Sequence, residues 1–380
     1  MRIVHICVAG SQPMLSPSGG AIQRRILELS KVQARRGHDV TAFSLGPVAG
    51  KQHVAGVSVR FVRCVSPMPL AHAEYLARVS VELRRGPRPD VINLHSQPEG
   101  LVLAKALRCP AVLFYDNFFF RRTGGKGWRH KGYRRLLRSF DRLLPCSEYC
   151  LERSVAYWNL NTADATVQYN GVNLEQFKPD PAAGRAQRTR LGIDGPVVLY
   201  VGRVNEQKGT DLLIESISLL RQRDGKATLV VAGPISQFGE RADPDEESTW
   251  ARRISEVGGI YLGAVPEDQL ASVYAMADVF VMPTRTLEMF GMAAVEAQAC
   301  GIPVVASDLG GLRETVPETS GGRFPVGNAD ALATGVQRLL HDDELRRRCS
   351  EAAIANATRF DWERVTSDLD EVYAKVGIDV

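Results

Sequence analysis

Two carboxylates stand eight residues apart in PTRTLEMFGMAAVEAQACGIPVVAS, residues 283–307. Glu288 follows a strand-like apolar run, and Phe290, Gly291 and Met292 open the helix that carries Glu296. At helical rise the two carboxylates lie about 12 Å apart, comparable to the reach from a sugar to a ribose across a pyrophosphate. The unpaired N–H groups at such a helix start attract an anion between them, and Gly291 permits close backbone approach. A carboxylate beside phosphate is repelled unless it bonds hydroxyls, so ribose and hexose diols are the suitable partners. The plainer alternative is a capped core helix with Glu296 on its solvated edge. In VGRVNEQKG, Arg203 and Lys208 offer a fork and a point charge to a diphosphate. The spacing is not that of a Walker loop, and a solvated strand-to-helix turn explains the same residues. Gly19 and Gly20 of SPSGGAIQRR end a loop and open a helix, an arrangement suited to phosphate approach or to a simple turn. His95 of DVINLHSQPEG ends a strand, where a side chain meets either ligand or a structural hydrogen-bond partner.

Other polar clusters point elsewhere. Asp243 and Asp245 have the D-x-D spacing of metal–nucleotide sites, but the acidic loop RADPDEES suits helix capping. Asp368 and Asp370 repeat that spacing as surface charges of a terminal helix. From Arg121 to Arg142 the chain holds nine Lys and Arg and one Asp, with Trp128 and Tyr133 among them. Arg121, Arg122, Lys126, Trp128, Arg129, Lys131, Arg134 and Arg135 form a candidate patch for a membrane or an anionic acceptor, or else a solvated helix face. No nucleic-acid recognition motif accompanies the charge. Cys146 and Cys150 lack a second pair, so no metal site is expected. The seven scattered cysteines fit reduced thiols in a cytoplasm.

The elements that must position these residues alternate along 380 residues. RIVHI, DVTAFSL, VSVRFV, DVINLH, AVLFY and RLLPC read as strands, with the amphipathic helix IQRRILELSKVQARRG after the first. The opening MRIVHICVAG is a strand, not a signal peptide, for no cleavage site or long apolar region follows. No apolar run reaches bilayer length. VNLEQFKPDPAAGRAQRTRLGIDGP reads as a linker. A second series follows in PVVLYVGR, ATLVVAG, GIYLG, DVFVMP and IPVVAS. The pattern is α/β throughout, two doubly wound domains whose strand ends face across a cleft. Charge divides in the same way. Residues 1–180 carry 26 Lys and Arg against 13 Asp and Glu, and the remainder 21 against 30. The tail FDWERVTSDLDEVYAKV is a last amphipathic helix packed through Phe360, Trp362 and Tyr373.

Taken in order, three segments resemble the retaining GT-B glycosyltransferases of family 4. They are YNGVNLEQFKP, VGRVNEQKGTDLLIES and ADVFVMPTRTLEMFGMAAVEAQACGIPVVASDLGGLRE. The resemblance spans nearly the whole chain. It implies an acceptor-side Rossmann-like domain over 1–178, a nucleotide-sugar domain over 179–360 and a helix over 361–380 returning to the first domain. It further implies that Arg203 and Lys208 neutralise the donor diphosphate, Glu288 binds donor-sugar hydroxyls and Glu296 the ribose diol. The backbone of Phe290, Gly291 and Met292 would contact sugar and phosphate, and Gly19 and Gly20 would approach from the other domain. His95 takes the second position of the family's H-x-H strand end, with Asn93 in the first. The implied reaction moves a hexosyl group from UDP- or GDP-hexose to a sugar, lipid-linked or small-molecule acceptor. Configuration is retained and no metal or cofactor is required. The setting is bacterial polysaccharide, glycolipid or natural-product glycoside synthesis, in the cytoplasm or peripheral on the inner membrane face. Two rivals are a non-hydrolysing sugar-nucleotide epimerase on the same fold and a catalytically silent sugar-nucleotide-binding protein. The joint presence of both Glu and both cations argues against the second.

Overall fold

The computed structural model describes residues 1–7, 14–15, 20–66, 70–116, 127–223, 226–235 and 244–378. The chain forms two compact units, Met1–Gly171 with Trp362–Val380, and Val172–Asp361. In the first unit, β1 (Arg2–Cys7), α1 (Ala21–Arg35), β2 (Asp39–Leu45), β3 (Gly50–Val54) and β4 (Val57–Val62) precede α2 (Leu70–Arg85). There follow β5 (Val91–His95), α3 (Leu101–Ala106), β6 (Ala111–Tyr115), α4 (Trp128–Leu137), β7 (Arg142–Pro145) and α5 (Glu148–Trp158). The second unit holds α6 (Pro181–Leu191), β8 (Val197–Val201), α7 (Thr210–Gln222), β9 (Thr228–Ala232), α8 (Pro244–Glu256), β10 (Ile260–Tyr261) and α9 (Glu267–Ala275). It continues with β11 (Val279–Met282), α10 (Met292–Ala299), β12 (Val304–Ser307), α11 (Leu312–Thr315), β13 (Gly321–Phe324), α12 (Ala329–His341) and α13 (Asp343–Ala357). The last helix, α14 (Trp362–Lys375), belongs to the first unit.

Among the described residues the first sheet runs β3-β4-β2-β1-β5-β6-β7 and the second β10-β9-β8-β11-β12-β13. Their pairings are parallel except for β3 with β4. The central strands AVLFY and VVLYV are apolar on both faces because helices cover both, while VINLH, equally buried, turns Asn93 and His95 to one face. Right-handed crossovers place α1 on one face of the first sheet and α2, α3 and α4 side by side on the other. Each sheet has one place where the strand order reverses, between β1 and β5 and between β8 and β11. Crevices for ligands form there, at the carboxyl ends.

Three elements differ from the sequence reading. The expected linker contains α6, capped by the Asp180 carboxylate on the Ala183 N–H and opened by Pro181. Its polar composition hides a helix anchored by Gly184, where a Cβ would lie 2.2 Å from the Ala275 carbonyl oxygen. The short strands GKQHV and GGRF carry too few apolar residues to signal themselves. Residues 172–178 pack with the second unit, where Val172 bonds Phe360 and the Phe177 ring meets Tyr274 edge-on at 5.8 Å.

Helix α14 completes the first unit's core with Trp362, Val365, Leu369, Val372 and Tyr373, all buried. Arg36, directly after α1, reaches both Asp370 (2.6 Å) and Glu363 (3.0 Å) on it. The buried Tyr373 hydroxyl accepts from Asn93 Nδ2 at 2.8 Å and Gln33 Nε2 at 3.2 Å. Tyr373→Phe keeps the ring but strands two buried amide donors, so stability to urea should fall by about 1–3 kcal/mol. An unchanged unfolding midpoint would show that the hydroxyl holds nothing.

Candidate functional site

The second unit gathers its polar residues where β8 and β11 end. Two residues beyond β8, the Arg203 carbonyl accepts from the buried Tyr200 hydroxyl at 2.6 Å, which fixes the turn. Burial, with Glu288 adding, pushes that phenol above its ordinary pKa, so it remains a donor. Asn205 then caps a short turn, its Oδ1 accepting from the Lys208 N–H at 2.8 Å. Gly209 follows at φ +77°, where a Cβ would sit 1.9 Å from the Pro283 carbonyl oxygen. Only glycine lets α7 start this close to the β11 loop. Across that approach Lys208 Nζ meets Glu288 Oε2 at 2.7 Å, with side chains 22% and 16% exposed. The two residues are 80 positions apart in sequence and joined by the switch point of the sheet.

Glu288 is held from behind as well. Its carbonyl accepts from the Gly311 N–H at 2.8 Å, and a Cβ on Gly311 would lie 2.1 Å from the Met289 carbonyl oxygen. Gly291 stands at φ +89° and opens α10, packed so that a Cβ would meet Leu312 Cδ2 at 2.6 Å. Phe290 is buried with its ring edge-on to Phe360 at 5.3 Å, and its carbonyl accepts from Thr315 Oγ1. Met292, the first helical residue, is half-buried. Glu296 is buried, not on a solvated edge, and its Oε2 accepts from the Tyr274 hydroxyl at 2.8 Å.

In the first unit, His95 ends β5 as the sequence implies, but its ring is fully buried. It stacks on Phe114 at 4.5 Å. Its Nε2 lies 2.9 Å from His5 Nδ1, its Nδ1 lies 3.5 Å from Arg25 Nη2, and His5 Nε2 lies 2.8 Å from Gln33 Oε1. A guanidinium only donates. His95 Nδ1 must therefore accept, so its Nε2–H donates to a bare His5 Nδ1, and His5 Nε2–H donates to Gln33. One buried cation thus sets the direction of the whole chain and keeps both rings neutral. Burial lowers the His5 pKa from 6.5 to about 4 and the His95 pKa well below 6.5, with the Arg25 charge acting in the same sense. Arg25 itself donates to Asp116 Oδ1 and Asn170 Oδ1, both at 3.0 Å. Gly20 precedes α1 in extended backbone. Gly19, Arg121, Arg122 and Lys126 lie outside the described residues, while Trp128, Arg129, Lys131, Arg134 and Arg135 all fall on α4.

The structure therefore joins Lys208 to Glu288 directly and seats Arg203, Gly291 and Glu296 on the same strand-end loops and helix. The sequence reading had overlooked Tyr274, Tyr200, Asn205 and the Gly310-Gly311 turn, and in the first unit His5, Arg25 and Asp116. Only the Gly-Gly pair carried a local signal. Tyr200 and Tyr274 look like core residues, and Asn205, His5, Arg25 and Asp116 like caps or solvated polar groups; only tertiary contact brings them to the candidate sites.

Comparison with known proteins falls on the same two halves. Residues 185–356 match the family described as Glycosyl transferases group 1. Residues 19–176 match Glycosyltransferase Family 4. D-inositol 3-phosphate glycosyltransferase of Streptomyces griseus is 29% identical over 95% of this chain and 85% of that protein. The counterpart in Streptomyces bingchenggensis is 33% identical over 64% of this chain and 55% of its own length. Against several such relatives the match spans about half their length. Among solved structures, sucrose-phosphate synthase from Thermosynechococcus elongatus superposes with a TM-score of 0.80 at 22% identity, covering 99% and 98% of the two chains. Anabaena HepE, solved with UDP and glucose, gives 0.78 at 20% identity over 98% and 99%. These likenesses establish the GT-B architecture.

The neutral imidazole pair has a measurable consequence. Both pKa values are depressed on folding, so their contribution is complete above pH 6.5 and is lost as pH falls toward 4. For His5 the loss is about 2 kcal/mol by pH 5. The drop in urea-unfolding free energy between pH 7 and pH 5 should be smaller by that amount in His5→Asn. Parallel profiles for the two proteins would refute the assignment.

Proposed function

Because the chain belongs to the family 4 (group 1) glycosyltransferases, we propose that it transfers a hexosyl group from a nucleoside diphosphate sugar to an acceptor with retained configuration. The observation that carries this reading is the Lys208–Glu288 pair at the switch point between β8 and β11. Lys208 and Arg203 neutralise the donor diphosphate as negative charge grows on it. Glu288, already oriented by Lys208 and by the Gly311 contact, accepts from donor-sugar hydroxyls. Glu296, its rotamer fixed by Tyr274, takes the ribose diol. The N–H groups at the start of α10 face phosphate. UDP is the first nucleotide to test, since the Anabaena relative was solved with it. GDP is the second.

In the transfer the bond from C1 of the sugar to the diphosphate breaks and a bond from C1 to the acceptor oxygen forms on the same face. The acceptor proton goes to the departing phosphate oxygen. His5 and His95 are poor carriers for it, being neutral and engaged at both ring nitrogens. His95, buried with both nitrogens engaged, holds Arg25 and His5 in place within the first unit, and Gly20 is a small entry residue to α1. The two cations supply the charge that a divalent metal would otherwise bring, so turnover should persist in EDTA. The basic helix α4 favours an anionic or lipid-linked acceptor, and the proposed setting is cytoplasmic.

Calorimetric titration with UDP and GDP, on the wild type and on Lys208→Ala, tests the reading. One nucleotide should bind with micromolar affinity and lose it in the variant. The rate of sugar transfer should fall about a hundredfold or more, the equivalent of ~3 kcal/mol of transition-state stabilisation. Failure of both nucleotides to bind would overturn the proposal. Product formed from donor without any acceptor would favour the epimerase instead.

A further inference from the structure

Nine large apolar side chains are exposed among the described residues, and four of them share one rim of the first unit. They are Val65, Leu70, Val102 and Trp128, exposed to 73, 62, 72 and 78%. Val65 follows the end of β4, and the other three stand in the first turns of α2, α3 and α4. Crossover helices run antiparallel to the strands they connect, and these three lie side by side on one face of the sheet. Their N-terminal ends therefore align along the carboxyl edge of the sheet, the edge where its ligand crevice forms.

Behind this apolar row the exposed faces are basic. Helix α4 presents Arg129, Lys131 and Arg135, followed by Arg138, and has no acidic residue. Helix α3 adds Lys105, also without an acid, and α2 adds Arg84 and Arg85. The two acids of α2 are engaged, Glu74 with Arg78 and Glu82 with Arg60. The opposite face of α4 is spent on packing, with His130 and Tyr133 stacked on Trp158 at 4.6 and 5.3 Å. The Arg129 guanidinium lies 5.3 Å from the Trp128 ring, which sets an interfacial aromatic beside a cation.

We propose that this rim docks on an anionic phospholipid bilayer, with Val65, Leu70, Val102 and Trp128 entering the headgroup boundary and the basic faces of α3 and α4 lying over it. An apolar row backed by unopposed cations matches the two layers of a membrane surface, apolar below and negative above. A soluble anion would engage the cations and leave the apolar row in water. Docked in this way, the carboxyl edge of the first sheet faces the lipid, and an acceptor borne by the membrane reaches it without leaving the bilayer. The inference does not rest on the transfer reaction, since binding to lipid is measured without nucleotide or acceptor.

Fluorescence supplies the readout. The chain has four tryptophans, of which Trp158, Trp250 and Trp362 are buried and Trp128 is exposed. Vesicles of phosphatidylcholine with 30% phosphatidylglycerol should sediment the protein, shift the emission to the blue and permit quenching by brominated acyl chains. The shift should vanish in Trp128→Phe. Binding should weaken in high salt, and by about a hundredfold in the triple variant Arg129→Glu, Lys131→Glu, Arg135→Glu. These exposed substitutions should leave melting unchanged. Absence of binding, equal binding to pure phosphatidylcholine, or full binding by the triple variant would overturn the proposal. So would tight binding to heparin with no blue shift on vesicles, which would mark a polyanion site.

Discussion

Each unit of this protein obeys one constraint, the right-handed crossover between parallel strands. It brings the polar turns that follow parallel strands, and the starts of the helices they lead into, onto a single edge of the sheet. From this follow the meeting of Lys208 with Glu288, the placing of Arg25 beside Asp116, and the alignment of the exposed rim along α2, α3 and α4. None of these groupings is local in sequence. Where the strand order reverses, the two flanking turns part and leave room for a ligand. The chemistry of the chain collects at those two reversals.

The two reversals are furnished differently. Lys208 and Glu288 keep partial contact with water, so each can exchange its partner for a ligand group without stranding a bare charge. Arg25 is sealed, with its side chain 3% exposed, and loss of Asp116 would leave a buried cation unpaired. The first pair is poised for substitution. The second is fixed, and it imposes one direction on a row of hydrogen bonds that ends at Gln33 and Tyr373.

The fold was legible in the sequence wherever a strand is buried on both faces, as in AVLFY or VVLYV. It was not legible where an element is held by a single tertiary contact. Helix α6 is polar and contains Gly184, and only the approach of the Ala275 carbonyl explains why it forms there. In the candidate site, Glu288, Lys208 and Gly291 could be placed at strand ends and a helix start, but a solvated turn or a capped helix accounts for the same residue types, and only the family resemblance singled them out. Tyr274 was not legible, because a buried tyrosine on an amphipathic helix looks like core until Glu296 is seen against its hydroxyl. His95 shows the converse. Its strand-end position suggested an outward ring, and the ring turned inward because Arg25 and His5 satisfy both nitrogens there.

The return of α14 to the first unit has a bearing on biosynthesis. A chain emerging from the ribosome presents the residues of the first sheet long before residues 362–375 exist, and the face that α14 covers stays open throughout. The second unit, contiguous from Val172 to Asp361, has all its parts before the first unit does. Maturation therefore runs against the order of synthesis. The later-made half can close first, and the earlier-made half waits for the final helix with apolar surface exposed to chaperones.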